Sequence, residues 1–182
     1  SSEQAGGHGA RLHPARVSVN RQLLPVNSKP MIYGPVTVRE ADGIREILII
    51  SSPEHLDNYE RLFGTGEQFG VTFSYALQPR PEGLAQAFVL GADHIGTDSA
   101  ALVLGDNIFY GPGLGSQLGR FGGIDGGAVF AHEVKDPSAH GVIEFDPDGK
   151  ALSLAEKPTP PQSNFPVPGL YFHANHVLAL PP

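Results

Sequence analysis

The sequence predicts an α/β fold: a three-layer α/β/α, Rossmann-like domain with a mixed, mostly parallel sheet and an inserted β-hairpin. Three observations carry this expectation. Near-continuous apolar runs rich in β-branched residues, at 44–50 and 100–104, have the pattern of strands buried on both faces. Helical patterns at 53–63 and 83–94 lie between the strands, an alternation that builds parallel sheets. Asp146-Pro147-Asp148-Gly149 joins two short segments, the signature of a hairpin with Asp-Gly at its turn.

In chain order, Ser1-Ser2-Glu3-Gln4 is polar and poor in strand formers, and it leads into Ala5-Gly6-Gly7-His8-Gly9-Ala10-Arg11. Residues 30–42 are expected as a weak helix closed by Gly43, because Gly34, Pro35 and the β-branched Val36, Thr37 and Val38 disfavour it. The strand at 44–50 and the helix at 53–63 follow, then a strand at 71–76 by alternation. The helix at 83–94 carries Leu84, Ala87, Phe88 and Gly91 along one face. The strand at 100–104 ends at Gly105-Asp106-Asn107, and glycine-rich residues 111–127 are expected as loop, short helix and loop. A strand at 127–134, the hairpin at 141–154, a proline-rich loop at 158–168 and a last strand at 169–173 complete the pattern, with no terminal helix expected.

Composition bounds the function. At 182 residues with 40% apolar and 17% charged side chains, one globular domain covering residues 1–182 is expected. There is no cysteine, which excludes disulfides and thiolate-held zinc. The formal charge of −7 argues against a general nucleic-acid partner. Yet Arg11, Arg16, Arg21 and Lys29 gather in the first 30 residues against one acid, Glu3, so the one basic region coincides with the glycines. No apolar run approaches the length of a membrane span and no signal segment opens the sequence, so neither a membrane nor export is expected and the cytoplasm is the default compartment.

The candidate chemistry starts at the glycines. Without a Cβ, Gly6, Gly7 and Gly9 let main-chain N–H groups come close to an anion, and Arg11 and Arg21 add planar forks matched to phosphate oxygens. Neither G-x-x-x-x-G-K-[ST] nor the full G-x-G-x-x-G is present. Asp106 places a carboxylate just past the end of a buried strand, where open α/β sheets bind ligands; the local sequence alone is equally a plain Asp-Asn turn. His173 and His176 are three apart, but a strand ends there and no third ligand accompanies them, so zinc is not expected.

Gly6-Gly7-His8-Gly9-Ala10-Arg11-Leu12-His13-Pro14 with Arg21-Gln22 resembles the G-G-x-G-T-R-L-x-P…K-Q signature of the sugar-1-phosphate nucleotidyltransferases. Leu23-Leu24-Pro25-Val26 and Lys29-Pro30-Met31-Ile32-Tyr33 narrow the likeness to the thymidylyltransferase branch, and it runs from Ala5 to about Val177. The resemblance implies transfer of a thymidylyl group from dTTP to glucose 1-phosphate, giving dTDP-glucose and pyrophosphate with Mg²⁺ as cofactor, for deoxysugar synthesis of the rhamnose type. It implies catalytic roles for Arg11, Arg21 and Lys157. Gly6, Gly7, Gly9, Ala10, Gln22, Gln78, Gly83 and Asp106 would bind the nucleotide, with Asp106 also holding the metal. Gln78-Pro79-Arg80-Pro81-Glu82-Gly83-Leu84-Ala85-Gln86-Ala87 matches the base-reading segment, and Glu156-Lys157-Pro158 the sugar-phosphate segment. Asn107, Gly141, Glu156 and Val167 would line the sugar.

Departures fall at sensitive positions. Ala10 replaces the signature Thr, Arg21 replaces the Lys, and His140 replaces an aromatic beside Gly141. The apolar strand that opens the family domain has no counterpart in Ser1-Ser2-Glu3-Gln4, and the partner metal aspartate falls beyond Pro182. A partial catalytic domain, weak or inactive alone, is therefore expected. A relative using UTP or CTP, or an inactive homologue that only binds nucleotide sugar, remains open, and similar enzymes imply a homo-oligomer.

Overall fold

A computed structural model describes residues 21–23, 25–26, 29–32, 44–80, 82–107, 109, 118–121, 123–138 and 140–178. Its elements alternate between strand and helix through the first half, the α/β pattern expected. The chain enters with a 3₁₀ turn, Arg21–Leu23, and a two-residue antiparallel pair of β1 (Pro25–Val26) and β2 (Lys29–Pro30). Pro30 therefore lies in a bridge and does not start a helix; the rest of the 30–42 expectation beyond Ile32 lies outside the described residues.

Strand β3 (Glu46–Ser51) and β4 (Thr72–Leu77) pair in parallel from Glu46↔Thr72 to Ser51↔Leu77. Helix α1 (Pro53–Phe63) is the crossover between them. Proline suits its first turn because the missing N–H has no helical acceptor there, and the Ser52 carbonyl accepts from the N–H groups of His55 and Leu56. Gly64 ends it at φ +55, a conformation costly for any residue with a Cβ. Leu56, Tyr59 and Phe63, spaced three and four apart, form the buried face. Tyr59 and Phe63 join Ile32, Ile49, Val71 and Phe73 in the first core, where the Phe63 and Phe73 rings stack with centroids 4.9 Å apart.

The expected helix at 83–94 is two pieces, α2 (Ala85–Leu90) and α3 (Ala92–Ile95), broken at Gly91. A Cβ on Gly91 would stand 3.0 Å from the Ala87 carbonyl oxygen and 3.3 Å from Leu48 Cδ2, so the helix packs closely on β3 at this residue. Strand β5 (Ala100–Val103) and β6 (Gly127–Val129) flank β9 (Leu170–His173), antiparallel to both. Every pairing in this three-stranded sheet is antiparallel, β3–β4 being the one parallel pair among the described residues, and β6 is shorter than the expected 127–134. Leu118, Leu170 and Phe172 form the second core, with Phe121 stacked on Phe172 at 5.2 Å.

The hairpin is β7 (Gly141–Phe145) and β8 (Ala151–Glu156). Asp146 closes it: its Oδ1 accepts from the N–H groups of Asp148 and Lys150, while Gly149 takes φ +81. The proline-rich loop is not idle chain. Phe165 O accepts from Ile143 N–H, Gly141 O accepts from Val167 N–H, and Val142 bridges Pro166, so the loop lies along β7 as a third strand. A single helical turn, α4 (Asn175–Leu178), follows β9 where no helix was expected; Asn175 Nδ2 donates to the Gly96 and Asp98 carbonyl oxygens. Among the described residues no helix is long and apolar enough to cross a membrane.

Candidate active site

Strands β3 and β5 run in the same direction. Ile44, Ser99 and Ala100, at their starts, border one small cavity. At their far ends Ile32, a member of the Ile49 cluster, lies against Gly105, where a Cβ would come within 2.8 Å of Ile32 Cδ1. A cavity of about 400 Å³ runs the whole length of the two strands, bounded by residues 44–50 on one side and 98–105 on the other, with Gln78, Leu84 and Phe88 over it. Gln78, which follows β4, and Gly105, past β5, mark its far end at the carboxyl ends of the strands, the position that binds ligands in open α/β sheets.

Gln78, Gln22, Asp106 and Asn107 are brought to this end. Gln78 follows β4 directly, its N–H donates to the Ser51 carbonyl oxygen, and its side chain is buried. Gln22, in the 3₁₀ turn, is buried too. Its carbonyl oxygen accepts from Ile32 N–H and its Oε1 from the Tyr59 hydroxyl, and a Cβ on Gly105 would stand 3.1 Å from its Cδ. Arg21 starts that same turn. Asp106 and Asn107 form the turn after β5, Asn107 N–H donating to the Leu104 carbonyl oxygen. Gly83, before α2, has φ +97 and open space where a Cβ would be. Gly6, Gly7, Gly9, Ala10 and Arg11 lie outside the described residues.

The second group gathers at the base of the hairpin. Gly141 opens β7 and Glu156 closes β8 opposite it; a Cβ on Gly141 would stand 3.1 Å from Glu156 Oε2. Val167 is buried and bonded to Gly141, and Lys157 N–H donates to the His140 carbonyl oxygen. Lys157 Nζ lies 3.4 Å from Glu156 Oε1, a partly exposed pair of small energetic weight. Lys157 holds φ +45, a strained conformation for a residue with a side chain and the one such non-glycine case among the described residues.

Residues that the sequence did not single out join the two groups. Gly169, at φ +59, sits against the first: a Cβ there would stand 2.4 Å from Asn107 Nδ2 and 2.6 Å from Leu104 Cδ1. Two residues later Tyr171 feels the second, since burial and then the Glu156 charge raise the pKa of its phenol. Strand β9 therefore ties the Asp106–Asn107 turn to the hairpin. Tyr59 and Gln86 were missed for a similar reason: their partners, Gln22 and Gln78, are neighbours only through the fold. Among the described residues no group of three His, Asp or Glu side chains is arranged to hold a metal.

This crevice under parallel strands, with its half-buried aspartate and attached hairpin, belongs to a class with known members. Residues 4–181 match the nucleotidyl transferase family, and the chain is a member of that family. It is 58% identical over 174 residues to the glucose-1-phosphate thymidylyltransferase of Mycolicibacterium smegmatis, a match covering 96% of this chain and 60% of the relative. The enzyme of that name from Mycobacterium tuberculosis is 57% identical over 176 residues, 97% of this chain and 61% of the relative. The chain thus spans about three-fifths of the length of these relatives. A Bacillus anthracis protein provisionally assigned as a glucose-1-phosphate thymidylyltransferase, solved with a bound sucrose, superposes with a TM-score of 0.88 at 35% identity, covering 98% of this chain and 74% of that one. A UDP-glucose pyrophosphorylase complexed with UDP-glucose, at TM-score 0.79 and 23% identity, shares the fold alone.

Proposed function

We propose that this chain carries the nucleotide and sugar-phosphate sites of a glucose-1-phosphate thymidylyltransferase, which joins dTTP and glucose 1-phosphate into dTDP-glucose and releases pyrophosphate. The observation that carries the reading is the convergence of Gln22, Gln78, Asp106 and Asn107 at the strand ends, with Gly141, Glu156, Lys157 and Val167 tied to them through β9. Identity of 58% to a relative bearing that activity supports it.

A phosphate oxygen of glucose 1-phosphate attacks the α-phosphorus of dTTP, the bond to the β-phosphate breaks, and pyrophosphate leaves. The attacking oxygen is already ionised, so no general base is needed and catalysis rests on alignment and charge neutralisation. Lys157, held in place by its main-chain bond to His140, offers its ammonium to the sugar phosphate, and Glu156 accepts from sugar hydroxyls. Buried Val167 forms an apolar wall and Gly141 lets the ring come close to the main chain. Asn107 offers an amide to the sugar, and Gln78 and Gly83 meet the base. Arg11 and Arg21 would neutralise the leaving and reacting phosphates, and Gly6, Gly7, Gly9 and Ala10 would offer main-chain N–H groups to the nucleotide.

The donor set at the β5 end fits Mg²⁺. The ion needs only one or two protein carboxylates and completes its octahedron with water and phosphate oxygens, so Asp106 beside a triphosphate is sufficient in kind. When bound, it supplies positive charge at the phosphates. The cytoplasm is the compartment we propose for the chain. A pyrophosphate-release assay with dTTP, glucose 1-phosphate and Mg²⁺ tests the reading. Binding of both substrates is expected, with release from this chain weak at most, dependent on both substrates, greater with dTTP than with CTP and lower in Lys157→Ala; release indifferent to the sugar phosphate, or binding of neither substrate, refutes it.

A further inference from the structure

Strand β8 is an edge strand: among the described residues it pairs only with β7, whose other side is taken by residues 165–167 of the proline-rich loop. That loop fixes which way the main-chain groups of β8 point. Ile143 N–H and Gly141 O are used by Phe165 and Val167, so alternation turns the groups of Val142 and Glu144 toward β8. Their partners Ala155 and Ser153 turn inward to meet them. The N–H and C=O of Leu154 therefore point out of the free edge, and those of Leu152 follow one alternation earlier. Proteins blunt such edges with charge, proline or a covering element, and residues 151–155 carry neither charge nor proline. Leu152 and Leu154, two residues apart and so on one face, are 63% and 59% exposed. With Phe145 on β7 they are three of the five large apolar side chains left exposed among the described residues.

The sequence of this edge names its partner. Lys150-Ala151-Leu152-Ser153-Leu154-Ala155-Glu156 reads alike in both directions about Ser153, with opposite charges at its two ends. Antiparallel pairing reverses direction, so such a strand is complementary to itself. We propose that two copies of this chain pair through β8 about a two-fold axis at Ser153, joining their hairpins into one continuous sheet. Leu152 then lies opposite Leu154 twice, Ala151 opposite Ala155 twice, and Lys150 of each copy near Glu156 of the other. The hydrogen-bonding sense agrees with this register. The residues set opposite each other, Leu152 and Leu154, are those whose main-chain groups face outward, and all four leucines share one face. An axis at Leu154 would instead oppose Leu152 to Glu156, and a one-residue slip of the pairing would set outward groups against inward ones. The inference is independent of the nucleotide and sugar sites.

The test is sedimentation velocity of the purified chain across about 1–100 µM, the range suited to an interface this small. The wild type is expected to shift toward a dimer as concentration rises. Leu152→Glu and Leu154→Lys each set a charge against a leucine across the axis, and each is expected to raise the dissociation constant about tenfold or more. Both side chains are exposed, so neither variant should lose its fold, which urea unfolding checks. An equimolar mixture of the two variants is expected to restore association. In the mixed dimer the two introduced charges, opposite in sign, fall opposite each other, while the second pair remains Leu–Leu. That rescue is specific to the register about Ser153. A wild type that stays monomeric throughout, association that neither variant weakens, or a mixture that behaves as its separate components overturns the proposal. The last result would assign the two leucines to some other partner.

Discussion

Gly169→Ala probes the contact that joins the two halves of the site. The residue sits at φ +59, where an L side chain costs about 1 kcal/mol relative to glycine. Its new Cβ would stand 2.4 Å from Asn107 Nδ2, 2.6 Å from Leu104 Cδ1 and 2.8 Å from Leu104 Cγ. Those overlaps force the Asn107 and Leu104 side chains to shift, and overpacking of this kind costs about 1–3 kcal/mol more. The expected loss of stability is therefore about 2–4 kcal/mol. Gly70→Ala supplies the control, because Gly70 lies in the left-handed region at φ +66 and ψ +25 with nothing within 4 Å of its would-be Cβ, so it carries the left-handed backbone cost alone. Urea unfolding of the two variants reads the difference as a shift in midpoint at constant slope. Equal losses for Gly169→Ala and Gly70→Ala would refute the claim that Gly169 exists to make room for Asn107 and Leu104.

Tyr59→Phe removes the buried hydroxyl that donates to Gln22 Oε1 and is expected to lower stability by about 1–2 kcal/mol in the same urea measurement. Burial lowers the pKa of His173, whose Nδ1 has no partner among the described residues and whose ring meets Phe88 edge-on at 5.0 Å. The folded state thus resists the proton that the unfolded state accepts near the ordinary value of 6.5, so stability should fall as pH drops through that value and level off below the folded pKa. His173→Phe should flatten that part of the urea-midpoint profile between pH 7.5 and 5.5. Asp106→Asn is expected to reduce the Mg²⁺-dependent part of dTTP affinity about tenfold or more, with metal-free binding little changed, as read by titration with and without chelator.

Much of the framework was legible because it depends on local rules. Ser52-Pro53 and Gly64 bracket α1 at both ends, and the β-branched runs place β3 and β5 to within two residues. The hairpin turn is written in Asp146 and Gly149. Local rules fail where tertiary contact decides. Gly91 interrupts the 83–94 helix where the chain passes close to Leu48 of β3, a neighbour 43 residues away that no local pattern announces. The proline-rich loop pairs with β7, although proline discourages strands, because its paired N–H groups come from non-proline residues such as Val167. For the site, the family resemblance marked Gln78, Asp106, Gly141 and Glu156, but not the residues that orient them. Nothing local about Gln86 or Gly169 says which distant side chain each one meets.

A crystal structure of this chain with dTDP-glucose and Mg²⁺ tests the site assignment most directly. The pyrimidine is predicted against Gln78 and Gly83, the glucose among Gly141, Glu156 and Val167, and the phosphates between Lys157 and Asp106. A nucleotide sugar seated elsewhere, leaving these side chains uncontacted, would contradict the account.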